Sequence, residues 1–295
     1  MLREQTRFIT ITKILLISLF IQIFNIMPFV NFQSRPIFYD NRGLGPAIVF
    51  LHGLMESHEI WNSFANSFSD EFQSILVDLP GHGQSATIAP IHTMELMADC
   101  VKTSLDELHI QECVLVGHSM GGYVSLSFAD KFPKYVKGLV LFHSSALPDS
   151  EEGRKNRQRT IEFIQQNKSV FISQFIPSLF AAGNTEKCQM EIQMLVEMAS
   201  AMTPDAIIAA QRGMMERPSY LNVLSKIQAP VLFIIGKQDS RISAESYFSQ
   251  IFLPSHAETL ILENVGHNGH IEAFPITSAV VRHFAQRAFE LNSNI

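Results

Sequence analysis

The sequence predicts an α/β chain built on a doubly wound, mostly parallel sheet. Two observations carry this: short, continuous apolar runs recur with helical patterns between them, and the chemically informative residues fall just after those runs. Composition agrees, with 46% of the 295 residues hydrophobic and 17% charged, enough for a sizeable core in one domain carrying an insertion. In doubly wound sheets, ligands bind beyond the carboxyl ends of the strands.

The first thirty residues stand apart. Arg3, Arg7 and Lys13 precede the uncharged run from Ile14 to Val30. Three readings of residues 1–30 stay open: a membrane anchor, a cleaved signal, or sequence translated upstream of a start at Met27. Gln22, Asn25 and Pro28, and a run short of the ~20 residues that cross a bilayer, weaken the first. Bulky residues over 31–35, where a peptidase wants small ones, weaken the second. The third draws on residues 27–40, which read as a natural first strand.

Further on, the segments 47–51, 74–78, 113–116, 138–142 and 231–235 are apolar almost throughout, as for strands buried on both faces of a parallel sheet. Residues 259–262 add another. Helical patterns over 93–108 and 119–131 lie between them. The alternation breaks over 150–218, where 150–166 is a polar, partly basic helix and 188–202 carries Met190, Met194, Met198 and Met202 at steps of four. Thr203-Pro204-Asp205 opens another helix, with a hydroxyl cap and a proline in the first turn.

Gly117-His118-Ser119-Met120-Gly121 follows the apolar run ending at Val116 and opens a helical pattern. A glycine two residues before and two after the serine lets the backbone turn sharply enough to present the hydroxyl. This is the arrangement a nucleophile needs. His52-Gly53-Leu54 follows an earlier strand, and Asp78-Leu79-Pro80-Gly81-His82-Gly83-Gln84-Ser85 the next.

Together these motifs resemble the α/β-hydrolase superfamily over roughly residues 35–290, with an HG-x loop, a D-x-P-G-x-G-x-S loop and a G-x-S-x-G elbow in that order. The resemblance implies Ser119 as nucleophile, with the backbone N–H groups of Leu54 and Met120 as the oxyanion hole. It implies an acid and then a histidine further along the chain. Gly236-Lys237-Gln238-Asp239 and Gly266-His267, the latter followed by Ile271-Glu272, resemble those loops, which makes Asp239 the orienting carboxylate and His267 the base. His52, Gly53, His118 and His143 are expected around the substrate. The resemblance also makes 150–218 a helical lid inserted after the sixth strand, with 31–149 and 219–295 as the core. The methionine stripe, and Phe171, Phe175 and Phe180, read either as lid core or as substrate contacts.

Rivals exist for two roles. His270 competes with His267 but is expected to open the last helix, and Asp149 competes with Asp239. The scattered histidines show neither H-E-x-x-H nor another ligand spacing, and no dinucleotide fingerprint follows a strand, so neither metal nor cofactor is expected. With 22 basic against 28 acidic residues, a net charge of −6 and no basic cluster, nucleic acid is not expected as a partner. Cys100, Cys113 and Cys188 lack a C-x-x-C spacing and read as buried thiols of a reducing, cytoplasmic compartment, the alternative being membrane association through the N-terminal segment. Oligomeric state is left open.

The expected activity is hydrolysis of a small, largely apolar ester through an acyl-enzyme, of the carboxylesterase kind. Serine at position 119 argues against the dehalogenase and epoxide-hydrolase branches, which attack through a carboxylate. Carbon–carbon bond hydrolases, lactonases, thioesterases and perhydrolases stay open, as does a small-ligand receptor built on a hydrolase scaffold.

Overall fold

Successive side chains of a strand point to opposite faces, so a run that is apolar throughout needs cover on both sides. The computed structural model of the protein describes residues 28–291, and its central strands have that cover. The strands are β1 (Phe29–Phe32), β2 (Arg35–Arg42), β3 (Ala47–Leu51), β4 (Gln73–Val77), β5 (Cys113–His118), β6 (Val136–Phe142), β7 (Val231–Gly236) and β8 (Ala257–Leu262). They form one sheet in the order β1-β2-β4-β3-β5-β6-β7-β8. From β4 across to β8 the pairing is parallel, whereas β1 with β2 and β2 with β4 are antiparallel.

Helices α1 (Asn62–Phe68), α2 (Met94–Glu107) and α3 (Met120–Lys131) precede β6. Between β6 and β7 stand α4 (Glu151–Phe175), α5 (Gln189–Ala201), α6 (Pro204–Glu216) and α7 (Leu221–Lys226), and after β8 come α8 (Gly269–Glu272) and α9 (Phe274–Leu291). Alternation divides the core. Val49, Leu51, Leu115, Leu139 and Phe233 share one buried cluster with Val101 of α2 and Val124 of α3. Ile48, Phe50, Val116, Val140 and Phe142 share the other with Phe64 of α1 and Phe284 of α9. On that second face Trp61 lies 5.2 Å from Phe50 and 5.7 Å from Phe142, ring centre to ring centre.

Local signals set several boundaries. The Thr93 hydroxyl accepts from Leu96 N–H at the start of α2, and Thr203 from Ala206 N–H at the start of α6. Helix α4 is broken at Asn167 (φ −147°, ψ 60°), just past the expected end of the polar helix.

The structure departs from expectation in three places. β8 is an edge strand with one neighbour, and Ile261 is 54% exposed, so its apolar run is not buried on both faces. β1 begins at Phe29, inside the segment set apart as residues 1–30; the remainder of that hydrophobic run falls in 1–27 and lies outside the described residues. Among the described residues no helix is long and apolar enough to cross a membrane. The methionine stripe is buried only at its end: Met190 is 84% exposed and Met202 7%.

Phe50 is fully buried at the centre of the aromatic cluster. Phe50→Ala is expected to lower unfolding free energy by about 3–5 kcal/mol, read as a shift of the urea midpoint with unchanged slope.

Candidate active site

The chain passes from β3 to β4 on one side and then crosses to β5 on the other, so the strand order reverses at β3. A crevice opens there at the carboxyl ends of β3 and β5. Residues 52–54 follow β3 and Ser119 follows β5.

Ser119 sits between β5 and α3 at φ 49°, ψ −112°, a backbone conformation that costs roughly 1–3 kcal/mol outside glycine. Close packing imposes it. A Cβ at position 117 would lie 2.4 Å from the Gly121 carbonyl oxygen, and one at 121 would lie 2.3 Å from that of Leu51. The turn is pinned by Ser119 N–H donating to Phe142 O (3.0 Å) and by the Ser144 hydroxyl donating to Ser119 O (2.8 Å). The amides of Met120, at the first turn of α3, and of Leu54 have no acceptor among the described residues. Two free donors thus flank the serine loop, and the N-terminus of α3 adds its dipole.

Asp239 and His267 are brought together from the ends of β7 and β8. Nδ1 of His267 lies 3.0 and 2.9 Å from the two Asp239 oxygens. Asp239 Oδ1 also accepts from the amides of Arg241 (2.7 Å) and Ile242 (3.1 Å). Burial alone would raise the Asp239 carboxyl, but the His267 and His143 imidazoles hold it well below the usual carboxylate range. An ionised Asp239 keeps the proton of His267 on Nδ1 and leaves Nε2 as an acceptor. His267 and Ser119 line the same cavity without a hydrogen bond between them.

A second buried unit ties the loops to one another. His118 Nδ1 is 2.9 Å from Glu56 Oε2, and His118 Nε2 is 2.9 Å from the His267 carbonyl oxygen. Both ring nitrogens face acceptors, so the ring donates twice as an imidazolium. Burial pushes His118 down, but the Glu56 carboxylate outweighs it and raises the imidazole above its usual range. Burial likewise pushes Glu56 up, and His118 reverses this, holding the carboxyl at about 2. Glu56 also accepts from Gly53 N–H at 2.6 Å. The histidine loop has its own anchor: Glu272 accepts from the amides of Gly266, Asn268 and Ala181 and from the Asn184 side chain.

Of the residues expected at the substrate, His118 lines the cavity but spends both N–H groups on the protein. His52, Gly53 and His143 are not on its lining. His52 is fully buried, where Nε2 accepts from Leu79 N–H (3.0 Å) and Nδ1 meets Gly53 O (2.8 Å), joining the ends of β3 and β4. His143 accepts from Gly269 N–H (3.2 Å) and lies 3.4 Å from Asp239 Oδ2, behind the acid. Neither rival contacts the pair. Asp149 is bound to Arg157 and Arg217, and His270 is packed against Trp61, Phe142 and His118.

Among the described residues, Glu56, His118 and His270 offer ligand atoms within 4.8 Å of one another. A cation there would have to displace the proton that His118 shares with Glu56. The cavity itself is about 450 Å³ and includes Leu54, Tyr123, Phe175 and Met214. Its lining is mixed, because Arg157, Arg217 and Arg241 stand beside these apolar side chains. None of the four stripe methionines does.

The family model described as alpha/beta hydrolase fold matches residues 46–274. An uncharacterized protein of Mycobacterium tuberculosis is 36% identical over 99 residues, 34% of this chain and 29% of that protein, so the chain spans under a third of the first curated relatives it matches. A (E)-2-((N-methylformamido)methylene)succinate hydrolase of Acinetobacter baylyi is 24% identical over 244 residues, 82% of this chain and 90% of that protein. Among solved structures, a thermophilic esterase from Thermogutta terrifontis superposes with a TM-score of 0.83 at 26% identity, covering 88% of this chain and 97% of that one.

Glu56→Gln is expected to cost about 3–5 kcal/mol at neutral pH, because it leaves a buried imidazolium without its partner. The Glu56 carboxyl is depressed from 4.5 to about 2, so its stabilising effect is complete above pH 4.5 and fades as pH falls toward 2. Urea unfolding of wild type and variant should therefore converge over that window.

Proposed function

The chain belongs to the alpha/beta-hydrolase fold family, and from that premise we propose that it is a serine hydrolase that cleaves an ester bond through a covalent acyl-enzyme. One observation carries the reading: an imidazole oriented by a buried carboxylate opens onto the same cavity as a serine held in a strained strand-to-helix turn.

In this mechanism the Ser119 hydroxyl attacks the ester carbonyl while His267 Nε2 accepts its proton. The oxyanion takes hydrogen bonds from the Leu54 and Met120 amides. His267 then gives its proton to the leaving alcohol, and water attacks the acyl-enzyme by the same route in reverse. Asp239 stays ionised and stabilises the imidazolium. The mechanism requires the serine hydroxyl to reach His267 when substrate is bound; hydrogen bonds of this kind commonly tighten only in the complex. Helices α4 and α6, which supply Arg157, Gln211 and Met214 to the cavity wall, act as the lid, limiting water around the acyl group.

Labelling by a fluorophosphonate and turnover of a short p-nitrophenyl ester test the assignment. Both should vanish in Ser119→Ala, and Asp239→Asn should lower kcat by roughly four orders of magnitude through loss of the correct tautomer. Undiminished turnover by Ser119→Ala would refute the proposal, and absence of both signals in the wild type would favour a binding role.

A further inference from the structure

The cavity carries more positive charge than acyl transfer needs. Arg157 reaches it from α4, Arg217 from the end of α6 and Arg241 from the loop after β7. Two carboxylates are on the same lining. Glu56 is committed to His118, and Asp149 is shared by Arg157 Nε (2.5 Å) and Arg217 (2.7 Å).

Arg157, Asp149 and Arg217 therefore form two guanidiniums around one carboxylate, with side chains only 22%, 9% and 5% exposed. A largely buried unit of net positive charge is destabilised by lost hydration unless an anion joins it. The unit is rigidly held. Arg217 donates to the carbonyls of Met214 and Leu147 and stacks 4.0 Å from the Tyr123 ring centre, while Arg157 donates to Gln211. Arg217 Nε is buried with no acceptor among the described residues.

Arg241 supplies the second wall. It lies over the Phe175 ring at 4.8 Å, donates to the hydroxyls of Ser240 and Ser178, and forms no ion pair among the described residues. Its backbone N–H holds Asp239, so residue 241 belongs to the acid loop of the candidate site. Desolvation, and repulsion from Arg157, push Arg241 below its ordinary value against the pull of Asp239. Both guanidiniums line the one cavity, Arg157 already paired with Asp149 and the exposed Arg241 without an ion pair among the described residues, so an anion held there meets positive charge from two elements.

We propose that the substrate is an ester bearing a carboxylate, which is received between Arg157 and Arg241 while the ester carbonyl meets Ser119. This rests on the hydrolase reading above and replaces the largely apolar ester expected from sequence. A neutral substrate forgoes these charge-assisted contacts, so the cavity favours the anion.

Two matched pairs test it: monomethyl adipate against methyl hexanoate, with the charge on the acyl side, and γ-acetoxybutyrate against butyl acetate, with the charge on the alcohol side. In at least one pair kcat/KM should favour the anion by roughly tenfold to a hundredfold, the range of a charge-assisted hydrogen bond. The preference should shrink at high salt, and in Arg157→Gln and Arg241→Gln the anion-to-neutral ratio should fall toward one. That ratio, taken within one preparation, is independent of how much of a variant folds. Equal or better use of the neutral ester in both pairs, or a ratio unmoved by both substitutions, would overturn the inference. Fluorophosphonate labelling of Ser119 without turnover of any of the esters would overturn it while leaving the nucleophile assignment standing. Failure of both labelling and turnover would instead remove the hydrolase reading and this inference with it.

Discussion

A buried ion pair between Glu56 and His118 sets the spacing of three strand-end loops. Either charge alone in that position would be costly, since full burial strips it of water. Together they satisfy each other, and their remaining hydrogen bonds run outward to Gly53 N–H on one side and the His267 carbonyl on the other. The loops after β3, β5 and β8 consequently cannot shift independently. The free amides of Leu54 and Met120, the hydroxyl of Ser119 and the imidazole of His267 belong to those loops.

The sheet beneath them supplies the rigidity that this arrangement draws on. Strained backbone at Ser119 persists because the strands on either side are buried on both faces, and because carbonyls of neighbouring segments leave no room for a Cβ at positions 117 and 121. The acid loop is fixed differently. Asp239 is clamped by two backbone amides of its own loop, so its direction depends on local chain geometry more than on distant packing. Glu272 then couples the histidine loop to the segment following α4, which links the insertion to the rim of the sheet.

Much of this is legible in the sequence, for identifiable reasons. Strands covered on both faces announce themselves as unbroken apolar runs, which is why β3, β5 and β7 are read within a residue or two, whereas the half-exposed edge strand β8 is read without its first two residues. Asp239 and His267, the pair the structure joins, each follow a strand and sit in loops with a family pattern. Glu56 is invisible by comparison: one acid three residues past His52-Gly53 carries no periodic signal, and only its burial against His118 reveals it. The histidines mislead because a histidine next to a motif looks available; His52 and His143 are consumed by backbone amides. The arginines of the cavity come from α4, the end of α6 and the loop after β7, so no linear pattern could bring them together.

The proposed acyl transfer requires these loops to act as one site. A crystal structure of the protein after fluorophosphonate treatment tests it most directly. Phosphorus is expected bonded to Ser119 Oγ, with a phosphonyl oxygen about 2.7–3.1 Å from the amides of both Leu54 and Met120 and His267 Nε2 within hydrogen-bonding reach of Oγ. An adduct on another residue, or one on Ser119 whose oxygen points away from both amides, would contradict it.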